Sequence, residues 1–382
     1  MIYNMPEYWL MKKAEPIVPI GPYLTFHSPS KFTLKVNDKA KHWNGTLEYS
    51  KDASTWSTWN GKTTLSSATS GNKNVLYLRG TGNTVITGNN SNYKWVLTGS
   101  DVACIGNIEN LLDYATVQAG NHPTMVSNCY RSMFSGCTSL TTAPALSAIT
   151  LAEDCYWYMF YNCTNLTTAS ELPATTLVNN CYTGMFNGCT SLTTAPALPA
   201  TTLAESCYSY MFNNCKSLTT VPALPATTLA NNCYYSMFRS CTSLTTAPAL
   251  PTTTLATGCY DSMFNGCTSL TTAPALPATT LIDGCYDSMF NNCTNLTTVP
   301  ALPATTLASR CYIDMFYGCT KIKLSSTQTG EYTQAYRVPT AGNGTTAPDA
   351  LKNMFTNTGG TFKGAPTINT TYYLHSSNSI VD

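Results

Sequence analysis

The sequence predicts an α/β repeat solenoid of the leucine-rich-repeat type, with eight coils of twenty-six residues each, preceded by a small antiparallel β-sandwich. Three observations predict it. The motif Cys-Tyr-x-x-Met-Phe-x-x-Cys occurs eight times at one fixed period, beginning at Cys129, Cys155, Cys181, Cys207, Cys233, Cys259, Cys285 and Cys311. A fixed period between about 20 and 50 residues marks units that stack, because one unit has a single apolar face and cannot bury it alone. Upstream, residues 20–100 alternate polar with apolar side chains in short runs separated by Gly, Asn, Asp and Ser, the pattern of half-buried strands. Only 10% of the 382 residues are charged, so the surface relies on neutral polar groups.

The elements follow in chain order. Segment 1–19 is rich in aromatics and proline and reads either as a docking peptide or as a disordered end. Within 20–100, the runs Tyr-Leu-Thr-Phe, Lys-Phe-Thr-Leu-Lys-Val, Gly-Thr-Leu-Glu-Tyr-Ser, Asn-Val-Leu-Tyr-Leu-Arg-Gly and Tyr-Lys-Trp-Val-Leu-Thr are predicted strands of the sandwich. Trp43, Trp56, Trp59 and Trp95 are its core candidates. Residues 101–128 are expected to be a connector and N-terminal cap. Their Ile-Gly-Asn-Ile-Glu-Asn-Leu-Leu-Asp-Tyr stretch forms a short helix over the open face of the first coil.

The solenoid itself is expected over 129–324. Tyr130, Met133, Phe134 and Cys137 sit at i, i+3, i+4 and i+7, one face of a helix, so each motif predicts a two-turn helix. Asn128, Asp154, Asn180, Ser206 and Asn232 precede it as cap formers. Gly136, Asn162, Gly188, Asn214, Gly266, Asn292 and Gly318 suit a left-handed cap at its end, with Ser240 the exception. The rest of each repeat, Thr- and Pro-rich, is an extended segment whose Leu192, Ala195 and Leu198 point inward; Pro196 and Pro199 preclude a continuous central strand. The threonine pairs are expected to hydrogen-bond across coils.

Seventeen cysteines raise the question of bridges. Cys104 stands alone, and the other sixteen form eight pairs separated by eight residues. On a helix that separation is about 12 Å, whereas a disulfide needs Cα atoms within roughly 7 Å. The thiols are therefore expected to be unbridged, buried small hydrophobes. Zinc ligand pairs are normally spaced two to four residues apart, so neither a metal nor a cofactor is expected.

The units resemble the BspA-like (Treponema-type) leucine-rich repeats of bacterial surface proteins, which carry an aromatic helical turn followed by a Gly-Cys-x-x-Leu step. Met185-Phe186 and Gly188-Cys189-Thr190-Ser191-Leu192 carry the match, which covers about 117–324. That family consists largely of adhesion and surface-recognition proteins, and the resemblance implies no catalytic residue. The strings Thr-Leu-Glu-Tyr-Ser-Lys-Asp and Leu-Tyr-Leu-Arg-Gly-Thr-Gly-Asn look like a module that precedes such repeats in surface proteins of gut bacteria and gut phages. After Ile322 the repeat code decays, and 325–382 is expected to be a C-terminal cap in which Asn353-Met354-Phe355 forms a degenerate last coil.

Function is sought where the copies differ. The third, fourth, seventh and eighth motif positions vary, and on a helix they form one exposed ladder opposite the core stripe. Two explanations stand: drift on a solvated face, or a recognition surface built from adaptable aromatic and polar side chains. The candidate binding residues are Trp157, Tyr158, Tyr161, Tyr210, Tyr235, Arg239 and Tyr317. Trp157, Tyr158 and Tyr161 form the strongest patch, suited to stacking on sugar rings or peptide. No catalytic residue is expected: all four histidines lie outside the repeats, and the acidic residues are scattered among the copies. A net charge of +1 without a basic cluster argues against nucleic acid. The sequence contains no apolar run of about 18 residues, so no membrane span is expected.

The function expected is non-enzymatic adhesion or recognition by a phage virion surface or fibre component that binds a host surface protein, envelope or mucosal glycan. Segment 1–19 would contact other virion structural proteins. The alternative is a bacterial cell-surface, extracellular adhesin of the BspA-like type. The start of the chain shows no signal peptide and no wall anchor is seen, which favours the virion; so do unbridged thiols, which suit assembly in a reducing cytoplasm.

Overall fold

The computed structural model describes residues 21–339 and 347–382. The N-terminal segment expected to dock lies outside the described residues.

The first unit is built from β1 (Leu24–Ser28), β2 (Thr33–Val36), β3 (Thr46–Ser50), β4 (Ser57–Trp59), β5 (Leu65–Ser66), β6 (Ala68–Ser70), β7 (Lys73–Thr81), β8 (Trp95–Thr98) and β9 (Val102–Ile105). The alternating runs predicted from sequence fall on β1, β2, β3, β7 and β8. β7 is central, antiparallel to β1 with Phe26 opposite Leu76 and to β3 with Leu47 opposite Gly80. β9 pairs with β1, β4 with β3 and β6 with β7, while β5, β2 and β8 form a second sheet. The tryptophans join the two sheets: Trp59 of β4 lies 5.2 Å from Trp43 and 5.4 Å, edge-on, from Trp95 of β8. Trp56 is not in this core. It is half-buried, with the Arg79 guanidinium 4.1 Å from its ring, because it lies an odd number of residues from Trp59 and so faces the other side of the strand.

A helix α1 (Asn110–Gln118), with an extended kink at Asp113, leads into the repeats. The eight predicted helices are not helices. In the first copy the N–H groups of Arg131, Met133, Ser135 and Cys137 close three-residue turns onto the carbonyls of Asn128, Tyr130, Ser132 and Phe134. The alternate N–H groups, of Tyr130, Ser132, Phe134 and Gly136, point away along the solenoid and donate to the carbonyls of Cys155, Trp157, Met159 and Tyr161 in the next copy, at 2.7–2.9 Å. An α-helix would direct all of them back along its own axis. The cause is a left-handed residue every fourth position: Asn128 (φ 63°), Ser132 (φ 53°) and Gly136 (φ 78°), repeated through Arg310 (φ 54°), Asp314 (φ 53°) and Gly318 (φ 72°). The α/β class is therefore corrected to a repeat solenoid of strands and stacked turns with few helices.

The threonine segments hold the opposite side of the coil. β10 (Leu140–Thr142) lies parallel to β9, and β11 (Thr298–Pro300) is its counterpart further along the array. Between them, single parallel bridges such as Thr142 to Thr168 and Thr194 to Thr220 mark the ladder. The Oγ1 atoms of Thr167, Thr219 and Thr297 donate to the carbonyls of Thr141, Thr193 and Thr271 one coil earlier, as the cross-coil expectation requires.

Identical side chains stack inside. The motif tyrosines form a near-parallel column from Tyr130 to Tyr312 with ring centroids 5.6–6.0 Å apart. The phenylalanines form a second from Phe134 to Phe316 at 5.6–5.9 Å. At its upstream end Phe134 meets Phe26 and Trp95, so solenoid and first unit share one core. All seventeen cysteines are buried and unbridged.

Downstream come β12 (Leu324–Ser325), β13 (Tyr332–Arg337), a one-turn α2 (Ala347–Leu351), β14 (Thr371–His375) and β15 (Ser379–Val381). β14 pairs with both β12 and β13. The last ladder donors, Tyr312, Asp314, Phe316 and Gly318, bond to the carbonyls of Ala350, Lys352, Met354 and Thr356. Phe355 stacks 5.4 Å from Phe316 and continues the column. β15 lies parallel to β11, where the strand of one further repeat would lie.

Candidate functional site

The turn geometry decides what the variable positions present. Facing positions one, two, five, six and nine of each motif inward leaves the third, fourth, seventh and eighth on one long side of the solenoid, with the equivalent residues of successive copies one above the other. This side is less open than a helical ladder would be. Of the candidates only Arg239 is exposed; Trp157, Tyr158, Tyr161, Tyr210, Tyr235 and Tyr317 are half-buried, and Thr183, Ser209, Ser236 and Asp287 are buried. At Tyr158, Tyr210 and Ser236 the left-handed backbone belongs to the turn itself, and it is absent at Trp157, Tyr161, Thr183, Ser209, Tyr235, Asp287 and Tyr317.

Trp157, Tyr158 and Tyr161 come together. Trp157 and Tyr158 have centroids 4.2 Å apart, and Tyr161 meets Tyr158 edge-on at 5.2 Å. Arg131, one coil earlier, lies 3.7 Å from the Trp157 ring. It donates to Asn128 Oδ1 at 3.0 Å and Asp154 Oδ2 at 3.2 Å, so its charge is committed. Tyr158 is left-handed (φ 52°), a conformation rarely adopted by a bulky residue. Its ring lies across Gly184 of the next coil, where a Cβ would come within 2.6 Å of it. Burial raises the Tyr158 phenol above its ordinary value, with Tyr161 adding to the effect.

Tyr210, also left-handed (φ 55°), meets Tyr235 edge-on at 4.9 Å across one coil step. Its phenol is pushed well up, first by burial and then by the hydrogen bond with Tyr235. The Arg239 charge reaches Tyr210 and opposes that shift. Tyr317 shares the seventh-position column with Tyr161 and Arg239 but stands in the last copy, outside both aromatic groups. An open furrow on the Pro/Ala side is lined by Val221, Pro222, Leu224, Pro248 and Pro251, and no candidate residue borders it.

Sequence reasoning missed one cluster on this side. Asp261 and Asp287 are not scattered acids: both occupy the third position, in adjacent copies. Ser262 Oγ donates to Asp261 at 2.7 Å, Ser288 Oγ to Asp287 at 2.8 Å, and Arg310 pairs with Asp287 at 2.8 Å. Burial, then the neighbouring Asp287 carboxyl, pushes Asp261 up to about 7. Burial also raises Asp287, against the lowering pull of Ser288 and Arg310. The recurrence of Asp at the same motif position in successive copies was the signal available. Among the described residues, no group of three or more His, Cys, Asp or Glu is placed to hold a metal. No described helix is long and apolar enough to cross a membrane.

Stacked turns with one variable side define a repeat module for recognition. The model of the BspA type leucine rich repeat region matches in six copies over residues 112–245 and 196–323, more than half of the chain, and the chain belongs to this family. Its members are typically non-enzymatic interaction modules, exposed on surfaces or extracellular. No curated protein and no solved structure matches the chain.

Proposed function

We propose that the protein is a non-enzymatic adhesion and recognition module of a phage virion, a surface or fibre component that binds host envelope or mucosal glycans through the variable side of its solenoid. The observation that supports this most is the Trp157, Tyr158 and Tyr161 group, three aromatic rings in contact on the variable side, where such rings can stack on sugar or peptide. Tyr210, Tyr235 and Arg239 would extend the contact over the following coils, and Tyr317 would touch a long ligand at its far end.

In this reading eight coils over 129–324 form the recognition surface and 20–100 is the sandwich that carries it. Residues 101–128 and 325–382 close the ends, and 1–19 docks to other virion proteins. The second reading, a bacterial cell-surface adhesin, is favoured by the family itself. A glycan array probed with the wild type and with Trp157→Ala tests the site: binding to a set of glycans, reduced at least tenfold in the variant, is expected. Equal binding by the variant would remove the aromatic group from the site. Neighbouring tail or capsid genes would support the virion, and an outer-membrane export locus the adhesin.

A further inference from the structure

The acidic pair at the downstream end of the variable side goes beyond recognition, and its chemistry is independent of which ligand is bound. The Ser262 N–H donates to the Asp287 carbonyl at 2.7 Å, so the two aspartates stand one rung apart. Equivalent rings of successive coils stack 5.6–6.0 Å apart, and two carboxylates in one such column, partly desolvated, repel, so that the pair favours holding one proton. The surroundings do not cancel the repulsion. From the preceding coil Tyr235 occupies the same column, and the Arg239 charge reaches Asp261 from the exposed surface. From the following coil Arg310 approaches, but its ion pair is with Asp287. Asp314, one position further, adds negative charge on the Asp287 side. The hydroxyls of Ser262 and Ser288 each serve one carboxyl, and among the described residues the arginine that approaches, Arg310, is ion-paired with Asp287 and not with Asp261.

We propose that Asp261 takes up a proton beside the ion-paired Asp287 of the next coil, and that the two form a pH-sensitive element, which holds the downstream coils together when protonated and loosens them when the proton leaves. Asp261 ordinarily titrates near 3.9 in an unfolded chain, and burial and Asp287 raise it to about 7 in the folded one. The folded state therefore binds the proton more tightly. The stabilisation is fully present below about pH 4 and is lost as pH rises through about 7. Above that, the variable side carries an additional negative charge next to Arg239.

The experiment compares urea unfolding of the full chain, kept reduced, as wild type, Asp261→Asn and Asp287→Asn at pH 5 and pH 8. His27, His42, His122 and His375 are common to all three proteins, so whatever they contribute cancels in the comparison. From pH 5 to pH 8 the wild-type unfolding constant should rise, relative to Asp261→Asn, by on the order of 10- to 100-fold. Parallel pH profiles would overturn the proposal. Carbon-detected titration of the wild-type aspartates needs no variant: a carboxyl midpoint between about 6 and 8 is expected, and none above about 5 would also overturn it. In Asp287→Asn that midpoint should fall, and an unchanged midpoint would show that the two carboxyls are not a pair.

Discussion

Tyrosine, serine, aspartate and glycine occupy the fourth motif position in different copies, yet all adopt the same left-handed backbone. Glycine does so without strain, and the others cost about 1–2 kcal/mol each, less where a short polar side chain bonds locally. Gly184 has a second reason to be glycine, since the Tyr158 ring covers its α-carbon. Gly184→Ala should lower stability by about 1–2 kcal/mol and displace that ring. A shift of the urea midpoint at unchanged slope, with altered tyrosine fluorescence, is the expected result. The ninth-position cysteines show a similar economy. Each thiol from Cys163 to Cys319 donates to the carbonyl of the phenylalanine 29 residues earlier, at 3.0–3.1 Å. That carbonyl already accepts a turn N–H, so the thiol fills its second lone pair without the desolvation a hydroxyl would bring. Burial drives these thiols upward, Cys267 and Cys319 to about 12, which keeps them protonated and unreactive.

At the scale of the element, the end of the ladder depends on one side chain. Asn378, 7% exposed, donates from Nδ2 to the Thr297 and Lys321 carbonyls at 2.9 and 3.0 Å, and its Oδ1 accepts from the Lys323 N–H at 3.0 Å. It thus fastens β15 to the last two copies. Asn378→Ala should cost about 1–3 kcal/mol by leaving these groups unpaired. Hydrogen exchange should speed up at the Ala301 amide, which donates to Val381, and stay unchanged at the Tyr208 amide in the middle of the array. The same scale shows what the sequence could reveal. The inward set Tyr130, Met133, Phe134 and Cys137 was legible because a turn recurring every four residues and a helix of 3.6 residues per turn put the same positions on one face over two turns. For that reason periodicity could not separate them. The left-handed residue was visible at Gly136, where Gly suggested a left-handed cap; it was misread at Asn128, where Asn suggested a helix N-cap, and invisible at Ser132, whose equivalents include tyrosine. Trp157, Tyr158 and Tyr161 were legible as a group because they are close in sequence. The Tyr210 to Tyr235 contact and the Asp261 to Asp287 pair were not, since each depends on one coil lying on the next.

The whole molecule is a stack in which each coil bonds to the coils before and after it. Removing 207–232, one full period, would bring Ser206 directly before Cys233, as it now precedes Cys207, and let the Tyr182 amide find the Cys233 carbonyl. That shortened chain should fold cooperatively with the same circular dichroism shape and a modestly lower melting temperature, because contacts are nearest-neighbour. Removing half a period should leave an unfolded or aggregated chain, since inward and outward positions would exchange sides.

The ladder of alternate amides has a further consequence. Because those bonds run main chain to main chain, they do not depend on which side chain a variable position carries. Such a scaffold separates two dials: its reach changes by whole rungs, and its surface lettering changes one character at a time at the third and seventh positions, while the fourth and eighth answer to the left-handed turn.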